Sequence, residues 1–198
     1  EKPLGLTIQE ILDVKSEVEK NNLNLHVGFN RRYDPDFADL QQSIENNEVG
    51  DIHMIKITSR DPAPPPIDYI KTSGGIFLDM TIHDFDMIKY LSNSEISEIY
   101  VKGECFIDPQ IKKAGDVDTA IISMKLENGV LATINNSRKA VYGYDQRIEV
   151  LGSKGILKVP NRLLSGLETG SSNGFIKSNP KNFFIDRYRE SYKKEILN

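Results

Sequence analysis

The chain has 198 residues, 38% of them hydrophobic, with 25 Lys and Arg against 29 Asp and Glu and a formal net charge of −4. That length holds one large domain or a domain with attachments, and the acidic balance argues against a general nucleic-acid surface. Cys105 is the single cysteine, which excludes an intrachain disulfide framework and fits a reducing, cytoplasmic setting; no apolar run approaches the ~20 residues of a membrane span.

In chain order, Thr7 and Glu10 form a T-x-x-E capping box ahead of a helix carrying Ile8, Ile11, Leu12 and Val18. Leu23, Leu25, Val27 and Phe29 then alternate, which predicts a short strand with His26 on its opposite face as a structural residue. Helix followed by strand is the ending of an α/β unit. Arg31 and Arg32 come just beyond the carboxyl end of that strand, where open α/β sheets bind ligands; ordinary surface arginines are the alternative. Asp34 and Pro35 start the next helix as N-cap and first residue, with Phe37, Leu40 and Ile44 as its buried face.

Ile52 to Arg60 alternates as a strand that contains His53, a strand side chain, and the run DPAPPP breaks it. Lys71 to Gly75 reads as a polar loop. The stretch GGIFLDMTIHDFDMIKYL, residues 74–91, reads as a helix anchored by Ile82, Phe85, Ile88 and Leu91. At helical spacing Asp79, His83 and Asp86 crowd neighbouring faces. A carboxylate beside a histidine fixes its tautomer and leaves a base near neutral pH. A solvated acidic face around a quietly packed histidine accounts for that spacing equally well.

The rest turns to β: Ile99 to Ile107, Val117 to Leu126, Val130 to Asn136, Gln146 to Leu151 and Ile156 to Val159, with hairpin signals at Glu127-Asn128-Gly129 and Gly152 to Gly155. Cys105 is expected inside a strand. Residues 161–180 read as a loop, and a helical pattern restarts at Phe183. The fold class is α+β, a large, mostly antiparallel sheet covered by helices on one face. No G-x-G-x-x-G opens a helix after a strand, so the chain carries no dinucleotide-phosphate cradle. No metal site is expected: Asp79, His83 and Asp86 lack a second histidine nearby. The opening EKP without an initiator Met and the closing RYRESYKKEILN without a C-cap glycine are read as cuts in a longer protein.

Taken together, EKP at the start, GFNRRYDPDF at 28–37, SRDPAPPP at 59–66 and KTSGGIFLDMTIHDFDM at 71–87 resemble the inositol 2-dehydrogenases of the glucose–fructose oxidoreductase and inositol dehydrogenase (Gfo/Idh/MocA) family. The resemblance covers essentially the whole chain. It implies that residues 1–30 are the last helix and strand of a Rossmann domain, and that 31–198 form a substrate and oligomerisation domain, C-terminally incomplete. It implies NAD (or NADP) as cofactor, its phosphate-binding half lying outside this chain, and a polyol or sugar as substrate. It also implies a homo-oligomer, dimer or tetramer, formed through the sheet.

By position, the resemblance makes Lys2, Asp79 and His83 catalytic, with His83 taking the hydroxyl proton as hydride leaves. It puts Glu1 and Lys2 beside the cofactor, and Asn30, Arg31, Asp86 and Tyr142 at the substrate, Asp86 also orienting His83. Asn30 stands where the family pattern leads one to expect Met, which leaves the polyol open. The chain alone is expected to be inactive. A non-catalytic sugar-binding or assembly module of the same fold is the alternative reading.

Overall fold

The sheet is built by alternation of apolar and polar residues. Strand β3 (Thr119–Leu126) buries Ala120, Ile122, Met124 and Leu126 and exposes Ile121, Ser123 and Lys125 between them. The computed structural model describes residues 1–197, and in it six strands run in the order β2 (Ile96–Glu104), β3, β4 (Leu131–Ser137), β1 (Ile52–Arg60), β5 (Asp145–Gly152), β6 (Gly155–Val159). All neighbours are antiparallel except β1 and β4, a parallel pair at the centre.

Helices α2 (Pro35–Glu45), α4 (Ile82–Ser92) and α6 (Phe184–Leu197) cover one face of this sheet. Phe37 and Leu40 of α2, Met87, Ile88 and Leu91 of α4 and Tyr188 of α6 pack with Ile55, Ile57, Ile122, Ile134, Ile148 and Val150 from the strands. Each such fully buried aliphatic side chain contributes on the order of 1.5–3 kcal/mol, so this layer is the main source of stability. Asp34 caps α2 as expected, its Oδ1 accepting from the backbone N–H of Asp36 (3.1 Å) and Phe37 (3.3 Å). On the other face, Leu131, Met54, Leu151 and Ile156 pair across four neighbouring strands and are all exposed.

Several expectations are corrected. Residues 23–29 form no strand: no neighbouring chain segment offers them a ladder among the described residues. Helix α1 (Ile8–Lys20) has its capping box, yet it buries none of its residues and Ile8 is 78% exposed. The supposed loop at 71–75 begins inside a helix, α3 (Ile67–Thr72), because Pro66 precedes its first turn and leaves 67–72 free to coil. A one-turn helix, α5 (Pro109–Lys113), is capped by Asp108 between β2 and β3. The glycine- and serine-rich stretch 161–180 holds a small hairpin, β7 (Glu168–Ser171) with β8 (Gly174–Lys177), turned at Ser172-Asn173. Cys105 lies just past the end of β2, its thiol directed at the Asp116 carbonyl (3.2 Å), because β2 ends at Glu104.

Candidate active site

The helix expected from residue 74 is entered through Gly74 and Gly75, both at positive φ (81° and 75°). A Cβ on Gly75 would stand 2.7 Å from Asp116 Oδ1, so the glycine is needed for space as well as conformation. Asp116 uses that closeness: its carboxylate accepts from the Ile76 N–H at 3.0 and 3.1 Å and caps the helix from a different part of the chain. The first full turn, Phe77–Thr81, is π-helical before α4 begins. A π turn holds one more residue than an α turn, so the i,i+4 stacking of Asp79 over His83 does not hold, and no hydrogen bond joins them.

Asp79 looks instead toward three other groups. Its Oδ1 accepts from the Tyr69 hydroxyl at 2.9 Å and lies 3.4 Å from Lys2 Nζ, which also bonds the Asp79 backbone carbonyl. Its Oδ2 accepts from Arg138 Nη1 at 2.7 Å. Burial pushes the Asp79 carboxyl up; the Arg138 hydrogen bond and charge, then Lys2 and the Tyr69 hydroxyl, outweigh it and hold the group below the usual carboxylate range. Lys2 is lowered, first by burial and then by the charges of Arg31 and Arg138, against the pull of Asp79. Asp61, near Arg138, is raised by burial to about 6, with Arg138 opposing.

His83 is half-buried, edge-on to Phe29 with ring centroids 6.3 Å apart, and its Nδ1 is buried without a partner. Burial, then the charges of Arg31 and Lys2, hold it well below the ordinary imidazole range. At neutral pH it is therefore an uncharged base with an unused acceptor or donor site.

Arg31 and Asp86 are placed differently from the expectation. Arg31 is buried and committed, donating to Asp84 Oδ1 (2.5 Å) and Ser59 Oγ (3.1 Å). Asp84 also accepts from Asn136 Nδ2 (2.8 Å), and Asn136 Oδ1 accepts from the Thr81 hydroxyl (2.6 Å). Asp86 does not bond His83, although both lie in α4 at neighbouring helical positions; both its oxygens are taken by Arg32, at 2.5 and 2.9 Å. Asn30 is buried with its Oδ1 unpartnered. Tyr142 is exposed, its hydroxyl shared between Arg60 (2.9 Å) and Asp145 (2.5 Å). Glu1 is exposed beside Gly28.

Tyr69 and Arg138 escaped the sequence reading. Tyr69 sits ten residues before Asp79, a spacing with no helical meaning. Arg138 carries one readable signal, its position immediately after a strand, the same signal that singled out Arg31.

The GFO/IDH/MocA C-terminal domain matches residues 37–158. The chain is 48% identical over 197 residues to the uncharacterized oxidoreductase YrbE of Bacillus subtilis, covering 100% of this chain and 58% of that protein. It is 48% identical to the myo-inositol 2-dehydrogenase of Thermotoga maritima, covering 99% of this chain and 59% of that protein. The crystal structure of scyllo-inositol dehydrogenase from Lactobacillus casei with bound NAD(H) and scyllo-inositol superposes with a TM-score of 0.85 at 30% identity, over 99% of this chain and 60% of that one. This chain thus spans about three-fifths of its relatives' length, and by its domain match and these identities it belongs to the GFO/IDH/MocA family.

Proposed function

We propose that this chain is the substrate-side part of an NAD-dependent inositol 2-dehydrogenase, which oxidises a ring hydroxyl of myo-inositol or a related cyclitol to a ketone. The observation that carries the reading is the pairing of Lys2 with Asp79 beside His83, an uncharged imidazole whose Nδ1 is buried and unpartnered. Relatives named for inositol oxidation support the choice of substrate.

The residues fit the reacting end of the cofactor. A half-buried, uncharged imidazole that feels the charge of the Lys2 ammonium suits a hydroxyl that is losing its proton, whereas the sequence has no glycine-rich turn for the phosphates. Glu1 and Lys2 are the residues of this chain that would border the nicotinamide. NAD, when bound, supplies the hydride acceptor. As the carbinol C–H departs as hydride, His83 takes the hydroxyl proton, and the Lys2 ammonium stabilises the developing alkoxide. Asp79 holds Lys2 in place and opposes the lowering that burial imposes on its ammonium group. Asn30, with its free buried oxygen, and the exposed Tyr142 are the residues assigned to the other substrate hydroxyls. Arg31 and Asp86 support the site from beneath through Asp84 and Arg32.

Residues 1–30 are assigned to the end of a dinucleotide-binding domain and 31–198 to the substrate and oligomerisation domain. The uncovered apolar face of α1 and the unladdered segment 23–29 support that division. The exposed row Leu131, Met54, Leu151 and Ile156 supports pairing of copies through the sheet. A cytoplasmic setting goes with this reading and with the single, free Cys105; among the described residues no helix is long and apolar enough to cross a membrane.

The test is the absorbance of reduced NAD formed by the complete gene product with myo-inositol. His83→Ala should lower kcat by about 10²–10⁴-fold, the usual value of a positioned base. The 198-residue chain alone should be inactive.

A further inference from the structure

Arg138 is an almost fully enclosed charged group beside the site, and the proposed chemistry leaves it without a task. It follows the last residue of β4, where its backbone N–H donates to the Asp118 carbonyl at 2.8 Å, and its side chain is 1% exposed. Three carboxylates surround it. Nη1 donates to Asp79 Oδ2 at 2.7 Å and lies 3.9 Å from Asp61 Oδ2, while Nη2 lies 4.0 Å from Asp116 Oδ2. Nε and Nη2 make no hydrogen bond. A buried arginine serving only to tie elements together would be expected to fill its fork, since unmet buried donors are costly. This one makes a single side-chain bond, and makes it to the carboxylate that holds Lys2.

The two oxygens of Asp79 divide along this line. Oδ2 faces Arg138, and Oδ1 faces Lys2 and the Tyr69 hydroxyl. A carboxylate rotates freely about its last bond unless one oxygen is fixed, so a rigid donor on Oδ2 sets where Oδ1 points. We propose that Arg138 is a positioning residue: from beneath the site it fixes Asp79 through Oδ2, turning Oδ1 toward Lys2 and keeping the carboxylate ionised. The inference deepens the dehydrogenase reading and rests on it for its catalytic meaning. The groups that face this cluster are Asp61 beyond β1, Asp116 ahead of β3, Tyr69 on α3, Lys2, and the more distant Arg31. Asp61 and Asp116 add negative charge around Asp79. With Arg138 gone, burial and the two carboxylates would act to protonate Asp79, and only Lys2 and the Tyr69 hydroxyl would remain to oppose them.

The experiment is a ¹³C NMR titration of the Asp79 carboxyl in the complete gene product, assigned with Asp79→Asn, together with the pH profile of kcat/KM on myo-inositol and NAD. Arg138→Met should raise the Asp79 midpoint by about one to three pH units, the usual effect of an adjacent opposite charge, and move the acidic limb of kcat/KM with it. Arg138→Lys keeps the charge but not the planar fork, so it should give a smaller shift and partial recovery of activity; it also serves if the Met variant does not fold. An Asp79 midpoint unchanged in whichever of the two variants folds would overturn the proposal. If the wild-type protein oxidises no cyclitol, the dehydrogenase reading fails, and the NMR titration still decides the role of Arg138.

Discussion

Arg31 and Asp84 form an ion pair shut away from water, Nη1 to Oδ1 at 2.5 Å, with the Asp84 side chain at 0% exposure. Asn136 and Ser59 complete its hydrogen bonds and link it to β4 and β1. Removing one partner strands a buried charge, which costs about 3–5 kcal/mol. Asp84→Ala should therefore lower the urea-unfolding free energy by that amount, and Arg31→Met, Asp84→Leu together should recover much of it. A loss below about 1 kcal/mol for Asp84→Ala would mean the pair is open to solvent.

The Arg32–Asp86 pair is looser. Arg32 is 43% exposed on its side chain, so solvent screens the interaction. Asp86→Asn should cost about 1 kcal/mol and leave the acidic limb of the kcat/KM profile where it is, because neither oxygen touches His83. A displaced limb would restore Asp86 as a partner of the histidine.

Stability should depend on pH through two groups of opposite sign. His83 is held well below its ordinary value of 6.5, so the unfolded chain binds a proton that the folded chain refuses. Its contribution is fully present above 6.5 and is lost as pH falls toward the folded value. Asp61 is raised to about 6 from an ordinary 3.8, so its contribution is present below 3.8 and is lost as pH rises through about 6. His83→Asn should flatten the loss of thermal stability below pH 6.5. Asp61→Asn should make the protein relatively more stable than wild type above pH 6. Parallel Tm–pH curves for wild type and either variant would contradict the burial of that group.

The outer face of the sheet gives a fourth prediction. Met54 and Leu131 are paired on the exposed side of β1 and β4, at its centre. If copies join there, Met54→Asp with Leu131→Lys should shift the complete gene product to a smaller species in light scattering. An unchanged mass would place the interface elsewhere.

Much of the fold could be read from local patterns. The T-x-x-E box, Asp34-Pro35 and the alternation of β3 each specify their own geometry with residues close in sequence. What could not be read depends on distant partners. Leu23 to Phe29 alternate like a strand, but a strand needs a ladder, and none is present among the described residues. The π turn at Phe77–Thr81 has no periodic signature, so the spacing of Asp79 and His83 suggested a pair that the backbone takes apart, while Asp86, at regular helical spacing from His83, is drawn off by Arg32. Asp84 is buried because its partner, Arg31, comes from 53 residues earlier in the chain, a pairing that no local pattern signals. Asp79 and His83 were legible as chemistry; Lys2 came only through the family resemblance, and Arg138 and Tyr69 only through the fold.

The most direct measurement is the pH-dependent oxidation of myo-inositol by the complete gene product with NAD, in wild type and in Lys2→Met, Asp79→Asn and His83→Ala. The account predicts turnover by the wild type and a loss of about 10²-fold or more in kcat for His83→Ala, with Lys2→Met and Asp79→Asn also impaired. Wild-type turnover that survives His83→Ala undiminished would contradict the assignment of the base, and with it the central claim.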